Sequence, residues 1–264
     1  MTLSPVSISL SSYGADYVRS RGQASFIELL ATAGASHIEL REELDLPADK
    51  STLAAAIRAG GLQCVYSSPL ELWSADGQLA RHALADALAN AQACGASQLK
   101  VSLGHYHASG LADLHACLMN QPVRLLVEND QTPQGGCIAP LLAFFSAARH
   151  EPLPIGMTFD IGNWQWQSQS VVAALNQLGP FVEYVHCKGV QLNPAGKRVA
   201  SAPTPLDLDL WEQLLQRLSP GVLRAIEFPL QGDDLAAVTR LQVANLARLG
   251  QTRVAQPLQE KAHV

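Results

Sequence analysis

One pattern constrains the fold of this sequence more than any other: short apolar runs alternate with long amphipathic runs rich in Ala and Leu. The short runs predict eight strands, and the long runs predict eight helices. The predicted strands are Val6–Leu10, His37–Leu40, Leu62–Tyr66, Gln98–Leu103, Val123–Val127, Ile155–Phe159, Phe181–His186 and Val222–Ile226. The predicted helices are Gln23–Ala33, Ala48–Ala59, Gln78–Ala93, Leu111–Met119, Ile138–Ala148, Ser170–Leu178, Leu208–Leu218 and Asp233–Leu249. Such strict alternation implies parallel strands joined by right-handed crossovers.

Eight units in a chain of 264 residues favour closure into one (β/α)8 TIM barrel, because this length is usual for such a barrel. No linker rich in Pro, Gly or Ser divides the chain, so residues 1–264 are expected to form a single α/β domain. An open doubly wound sheet remains the alternative. The segment Gly189–Leu206 has no predicted element and follows the seventh strand, so it is either a lid over the active site or a plain crossover loop. Asp207 and Asp233 are the predicted N-caps of the last two helices.

Composition indicates which partners and which cellular location to expect for the protein. A net charge of −5 disfavours nucleic acid as a partner. The five cysteines are dispersed with no C-x-x-C pair, which is typical of reduced thiols in a cytoplasmic protein. Residues Met1–Gly14 do not resemble a secretion signal, and no run approaches the roughly 20 apolar residues of a membrane span. We therefore expect a cytoplasmic protein without a membrane partner, and the base rate for soluble proteins favours a homodimer.

Polar side chains end the last four predicted strands, which are otherwise apolar. These strand-end residues are Glu128, Asp160, His186 and Glu227. Side chains alternate between the two faces of a strand, so Asp160 should point into the barrel if Met157 and Phe159 pack against the helices. Since active sites of such barrels lie at the carboxyl ends of the strands, the four residues are expected to meet there.

Three carboxylates and an imidazole would repel one another or stay unpaired if no cation joined them. A divalent cation removes this difficulty. A ligand set of oxygen and one nitrogen, without thiolate, favours Mn²⁺ or Mg²⁺ and leaves Co²⁺ or Zn²⁺ as alternatives. No glycine-rich phosphate loop of recognisable spacing is present, and no nucleotide cofactor is expected.

The runs LLVEND, MTFDIGNW, YVHCKG and AIEF resemble the metal-site strands of the xylose-isomerase-like superfamily of sugar phosphate isomerases and epimerases. The resemblance extends over essentially the whole chain, and in general character the chain is also similar to the 2-ketogluconate-utilisation epimerase branch. It implies one divalent metal held by the four strand-end residues. It also implies that Glu128 and Glu227 serve as acid and base, and that Lys188, two residues after the metal-binding His186, helps to hold the substrate.

The function that follows is a metal-dependent isomerase or epimerase, which moves a proton on a small carbohydrate through a metal-stabilised enediolate. The substrate class is a keto-sugar, a keto-sugar acid or a sugar phosphate. The predicted substrate-binding residues are Lys188, Asn163, Glu39 and Trp164. Asn163 occupies the position of a histidine in ketohexose epimerases and cannot titrate near neutrality. Glu39 could instead pair with Arg41 or Lys100, and Trp164 could instead pack against a helix.

Three other functions compete with this one. A dehydratase on the same scaffold would expel a hydroxyl group from the same enolate, and the loss of a titratable group at Asn163 keeps this alternative open. A repair endonuclease of the superfamily would need more histidines, whereas Ser67-Ser68-Pro69 follows the third strand and the chain is acidic. A non-catalytic binding protein is the third alternative, because a fold does not determine a function.

Overall fold

Eight parallel strands close into a barrel in this protein, whose computed structural model describes residues 3–150 and 153–251. The strands are β1 (Val6–Ser9), β2 (His37–Arg41), β3 (Gln63–Trp73), β4 (Gln98–Gly104), β5 (Arg124–Glu128), β6 (Ile155–Asp160), β7 (Val182–Cys187), β8 (Gly189–Leu192), β9 (Arg198–Ser201) and β10 (Leu223–Ile226). The order around the barrel is β1-β10-β7-β6-β5-β4-β3-β2, while β8 and β9 form a separate pair. The predicted TIM barrel is confirmed, and the open sheet is excluded.

Each predicted helix has a counterpart around the barrel, and one further short helix precedes them. The helices are α1 (Ala15–Arg21), α2 (Ile27–Thr32), α3 (Lys50–Ala59), α4 (Arg81–Ala93), α5 (Leu111–Leu118), α6 (Ile138–Ala148), α7 (Val171–Leu178), α8 (Pro205–Leu215) and α9 (Leu235–Arg248). Helix α1 escaped prediction because it is short and polar and buries only Val18, so its sequence shows no apolar period. No helix in the described ranges combines the length and apolar character needed to cross a bilayer.

The segment between the seventh barrel strand and its helix is more ordered than the sequence indicated. Strands β8 and β9 pair antiparallel as a hairpin, with Gly189 opposite Ser201. Helix α8 begins earlier than predicted, because Thr204 caps it in a reciprocal capping box with Asp207. The prediction of Asp207 as N-cap is therefore wrong by three residues. Asp234, not Asp233, caps α9.

The third barrel strand is longer than its apolar run predicted. It continues to Trp73, past Pro69, and its register against β4 shifts between Ser67 and Glu71. Pro69 has no N–H for the ladder, so the strand tolerates it only where the pairing is interrupted. The predicted strand ended at Tyr66 because the residues that follow, Ser67, Ser68 and Pro69, are not apolar.

The apolar core has two layers that establish which side chains face the barrel axis. The larger layer lies between barrel and helices and contains Val127, Phe159 and Val185. A small separate cluster fills the barrel itself and consists of Val65, Leu126, Tyr184, Leu223 and Ala225. Because side chains alternate along a strand, the residues two positions after members of this inner cluster also point inward. This places the strand-end polar residues above a plug of apolar side chains.

Candidate metal centre

The structure brings the four strand-end residues together at the carboxyl end of the barrel. One ligand atom from each of Glu128, Asp160, His186 and Glu227 lies within 4.8 Å of the others. The imidazole Nδ1 of His186 is central, at 2.9 Å from Glu128 Oε1, 3.0 Å from Glu227 Oε2 and 3.9 Å from Asp160 Oδ2. All four side chains are at most 10% exposed. A closed parallel barrel with this cluster at the carboxyl ends of its strands has residues that could hold a metal ion where TIM barrels carry their active sites.

Several atoms of this cluster lack hydrogen bonds. Glu128 Oε1, Asp160 Oδ2 and His186 Nδ1 are buried and make no hydrogen bond to any described residue. Lys188 Nζ lies 2.7 Å from Asp160 Oδ2 as an ion pair. Buried polar atoms without partners are rare and costly in native proteins. Glu128 Oε1 and His186 Nδ1 have no hydrogen-bond partner, Asp160 Oδ2 has only the ion pair, and all three converge on one region. Their arrangement fits a cation that all of them could bind.

The two glutamates each have their second oxygen occupied by a basic side chain. Lys100 Nζ donates to Glu128 Oε2 at 2.5 Å, inside the barrel. Arg41 donates to Glu227 Oε1 at 3.1 Å. Each cation holds one carboxylate oxygen, and the other oxygen faces His186 Nδ1; that of Glu227 also accepts a hydrogen bond from Lys188 Nζ at 2.8 Å. The orientation of both glutamates is therefore defined before any ion binds.

The other two residues are oriented in the same manner. Asp160 Oδ1 accepts hydrogen bonds from the backbone N–H groups of Gly162 and Asn163, both at 2.9 Å. The imidazole of His186 donates from Nε2 to Glu39 Oε2 at 2.8 Å. In every case one polar atom is held by a neighbouring group and a second atom faces a common point, where Lys188 contacts the second atoms of Asp160 and Glu227. This pattern is typical of metal ligands supported by neighbouring hydrogen bonds.

The charges and the burial of the cluster shift the pKa values of two of the candidate ligands. Burial raises the pKa of Asp160 to about 7; Lys188 opposes this shift, whereas Glu227 and Glu128 add to it. Burial alone would lower the pKa of His186, but the carboxylates of Glu227, Glu39 and Glu128 outweigh it and raise that pKa well above its usual value. Without a metal, the cluster therefore retains protons that a divalent cation would replace.

Lys188, a predicted substrate contact, lies beside the candidate ligands. Its ammonium group is 2.7 Å from Asp160 Oδ2 and 2.8 Å from Glu227 Oε2. A cavity of about 230 Å³ opens next to it and is lined by both Lys188 and Glu227. Ser11 and Ala200 also line this cavity, so the hairpin of β8 and β9 contributes one of its walls. This cavity is the space through which a small molecule could reach the cluster.

The remaining predicted substrate contacts, Asn163, Trp164 and Glu39, are not among the residues that line this cavity. Asn163 is buried, and its side chain bonds to the carbonyl of Asn129 at 2.9 Å and to Gln131 at 3.2 Å. Trp164 is fully buried, and its ring packs against Phe159 at a centroid distance of 5.4 Å. This placement of Trp164 agrees with the packing alternative.

Glu39 has no exposed surface and pairs with Arg41 at 3.2 Å, which is the pairing considered from the sequence. The sequence did not predict that Lys100, Arg41 and Glu39 are hydrogen-bond partners of the candidate ligands. The available signal was a charged residue within an apolar strand, which must find a buried partner. Lys100 in β4 and Glu39 in β2 both show this signal, but only the closed barrel identifies Glu128 and His186 as their partners.

Comparison with known proteins identifies the fold. No protein-family model and no curated protein matches the sequence. Among solved structures, the IolI protein with a bound zinc atom shares a TM-score of 0.70 at 13% identity, over 94% of this chain and 99% of that one. D-psicose 3-epimerase from Clostridium cellulolyticum H10 has a TM-score of 0.62 at 13% identity, over 95% and 96% of the two chains. The probable 3-DHS dehydratase AsbF from Bacillus anthracis has a TM-score of 0.65 at 12% identity, over 95% and 100%.

The chain therefore shares its TIM-barrel fold with solved structures that include a xylose isomerase domain containing protein, a sugar phosphate isomerase/epimerase and L-ribulose 3-epimerase. In fold, these structures agree with the resemblance that the sequence motifs showed.

Proposed function

We propose that the protein is a divalent-metal-dependent isomerase or epimerase that acts on a small keto-sugar, keto-sugar acid or sugar phosphate. The observation that carries this proposal is the convergence of four strand-end residues, each with one atom held from outside and another directed to a common point. The epimerases among the solved structures of the same fold support the reaction class.

The four residues Glu128, Asp160, His186 and Glu227 would hold a single ion, with Mn²⁺ or Mg²⁺ favoured by three hard oxygen ligands. The zinc atom in the structure of the IolI protein supports zinc as an alternative. When bound, the ion would polarise the substrate carbonyl and stabilise the negative charge that develops next to it.

Glu128 and Glu227 are the proposed acid and base. Burial would raise the pKa of each, but His186 with Lys100 or Lys188 outweighs it, and both carboxyl groups are held below their usual pKa. They are therefore ionised at neutral pH, as a base must be to accept a proton. Such a carboxylate is a modest base, but it is already in place and needs no reorganisation. The ammonium group of Lys188 would bind a substrate oxygen at the edge of the cavity.

Deuterium exchange tests this proposal directly. A panel of ketoses, keto-sugar acids and their phosphates is incubated with the protein and Mn²⁺ in deuterated water. We expect deuterium to enter beside the carbonyl of at least one compound, and Glu128→Gln and Glu227→Gln to abolish this exchange. If both variants exchange as fast as the wild type, the assignment of acid and base is wrong. If no compound exchanges while Mn²⁺ is bound, the proposed reaction class fails.

A dehydratase is the second candidate, and one observation favours it. The side chain of Asn163 is engaged by Asn129 and Gln131 and offers no titratable group. The dehydratase AsbF also shows that this fold is found in a protein named for that reaction. Dehydration would produce a conjugated carbonyl compound with strong ultraviolet absorption, whereas epimerisation or isomerisation only redistributes sugars.

The proposal also includes the domain organisation, the cellular location and the partners expected from the sequence. We propose one domain over residues 1–264, a cytoplasmic location, a homodimer and no nucleic-acid partner. The five cysteines are all unpaired in the structure, which supports a reducing compartment.

A further inference from the structure

We propose that Glu39 is a positioning residue of the metal centre, which fixes the imidazole of His186 so that Nδ1 faces the ion. This inference rests on the proposed metal-dependent function. It gives Glu39 a role different from the substrate contact that the sequence predicted.

The burial of Glu39 excludes direct contact with a substrate in this conformation. Its exposed fraction is 0%, and so is that of His186. Glu39 Oε2 accepts one hydrogen bond from His186 Nε2 at 2.8 Å and a second from the Tyr184 hydroxyl at 2.7 Å. Glu39 therefore contacts the nitrogen of the imidazole that lies opposite the candidate ligands.

This contact determines which imidazole nitrogen can bind a metal. In a neutral imidazole one nitrogen carries the proton and the other carries the lone pair. A carboxylate that accepts from Nε2–H stabilises the tautomer with the lone pair on Nδ1. Nδ1 is the nitrogen that lies 2.9 Å from Glu128 Oε1 and 3.0 Å from Glu227 Oε2. The tautomer that Glu39 selects is thus the one that the candidate site requires.

Two further contacts keep this arrangement rigid. Arg41 donates to Glu39 Oε1 at 3.2 Å, so both oxygens of the carboxylate are engaged. The ring of Tyr184 meets the ring of His186 edge to face, with centroids 4.8 Å apart and an interplanar angle of 85°. Rotation of the imidazole would break the bond to Glu39 and this ring contact together.

The position of Glu39 in the barrel explains why the pairing was not visible in the sequence. Glu39 lies on β2 and His186 on β7, and two other strands, β1 and β10, separate these strands in the barrel order. Their side chains meet across the interior, above the apolar plug that contains Tyr184.

Mn²⁺ affinity, measured by calorimetry and by the EPR signal of free Mn²⁺, tests the inference. Glu39→Leu removes the acceptor, and we expect Mn²⁺ to bind about 10- to 100-fold more weakly, as for other outer partners of ligating histidines. Glu39→Gln keeps an acceptor oxygen, so its affinity should lie between those of Glu39→Leu and the wild type. Glu183→Gln is the matched control, because Glu183 lies on the same strand as His186 but pairs with Arg124. Its Mn²⁺ affinity should equal that of the wild type.

The outcomes separate this inference from the function on which it rests. If the wild-type protein binds no Mn²⁺, the proposed metal centre and this inference both fail. Wild-type binding with unchanged affinity in Glu39→Leu would refute the positioning role alone. If Glu39→Leu does not fold, Tyr184→Phe decides, because it removes one of the hydrogen bonds that hold Glu39, and it should weaken Mn²⁺ binding measurably. A substrate contact would instead raise the KM of Glu39→Gln at saturating Mn²⁺ and leave the metal affinity unchanged.

Discussion

Lys100 Nζ donates to Glu128 Oε2 at 2.5 Å in the interior of the barrel, where both side chains are almost fully buried. A lysine in a central strand is rarely tolerated without such a partner. The pair links β4 to β5 and holds one oxygen of a candidate metal ligand.

Replacement of this lysine should destabilise the protein most when metal is absent. Lys100→Met leaves Glu128 as a buried charge without its partner, and the loss of one member of a buried pair typically costs about 3–5 kcal/mol. Bound Mn²⁺ would compensate part of this loss, because it supplies positive charge to the same carboxylate. Chemical denaturation with and without Mn²⁺ measures the difference. Lys197→Met, in the exposed turn of the hairpin, is the control and should change neither value. An equal loss with and without Mn²⁺ would contradict this prediction.

Mn²⁺ affinity should increase with pH through the neutral range. The carboxylates around His186 raise its pKa well above the usual value, and burial raises the pKa of Asp160 to about 7. Both groups must lose their protons before they can bind a cation, so binding releases protons and tightens as the pH rises. Each released proton makes the affinity about tenfold higher per pH unit below the pKa concerned. Calorimetry in buffers of different ionisation enthalpy counts the protons. Affinity that is the same below and above pH 7, near the pKa of Asp160, would argue against this protonation state.

Acid should destabilise the fold through a histidine outside the metal centre. His37 is buried at the start of β2, and burial lowers its pKa from 6.5 to about 4. The unfolded chain therefore binds a proton at a higher pH than the folded chain, so stability falls as the pH drops from 6.5 towards 4. The loss attributable to His37 should reach up to about 3 kcal/mol.

Urea denaturation across this pH range, with His37→Gln as the test variant, measures the effect. The stability of this variant should depend less on pH than that of the wild type. His82→Gln, at an exposed position, is the control and should keep the wild-type slope. Parallel pH profiles for wild type and His37→Gln would show that another group is responsible.

The hairpin wall of the cavity should influence substrate binding without changing metal binding. Ala200 of β9 lines the same cavity of about 230 Å³ as Lys188 and Glu227. Ala200→Leu adds three carbon atoms to this space and should raise the KM of whichever carbohydrate exchanges deuterium, while the Mn²⁺ affinity stays the same. Ala195→Leu, in the exposed turn of the hairpin, serves as the control. A variant with unchanged KM would indicate that the substrate enters by another route.

Much of the barrel was predictable because its physical causes are local. Alternation of apolar strands and amphipathic helices implied the eight units, and the inward direction of Asp160 followed from the outward packing of Met157 and Phe159. The hairpin of β8 and β9 was not predicted, since its four-residue strands are half exposed and carry no apolar period.

The candidate site was predictable for the same reason, but only in part. The strand-end position of each ligand could be inferred from a single run of sequence. Their partners depend on contacts between strands, which no local pattern contains: Lys100 reaches Glu128 from the neighbouring strand, and Glu39 and Arg41 reach His186 and Glu227 from strands farther away in the barrel order. Lys188 was expected to hold substrate, and its ion pairs with Asp160 and Glu227 likewise depend on tertiary geometry.

The two halves of the chain contribute different groups to the candidate site. All four candidate ligands come from β5 onward, whereas Glu39, Arg41 and Lys100 come from β2 and β4. A half-barrel fragment that begins at β5 would thus contain every ligand, yet only Asp160 would keep its outer hydrogen bonds, because these come from its own loop. The first half, which supplies none of the four candidate ligands, therefore orients three of them.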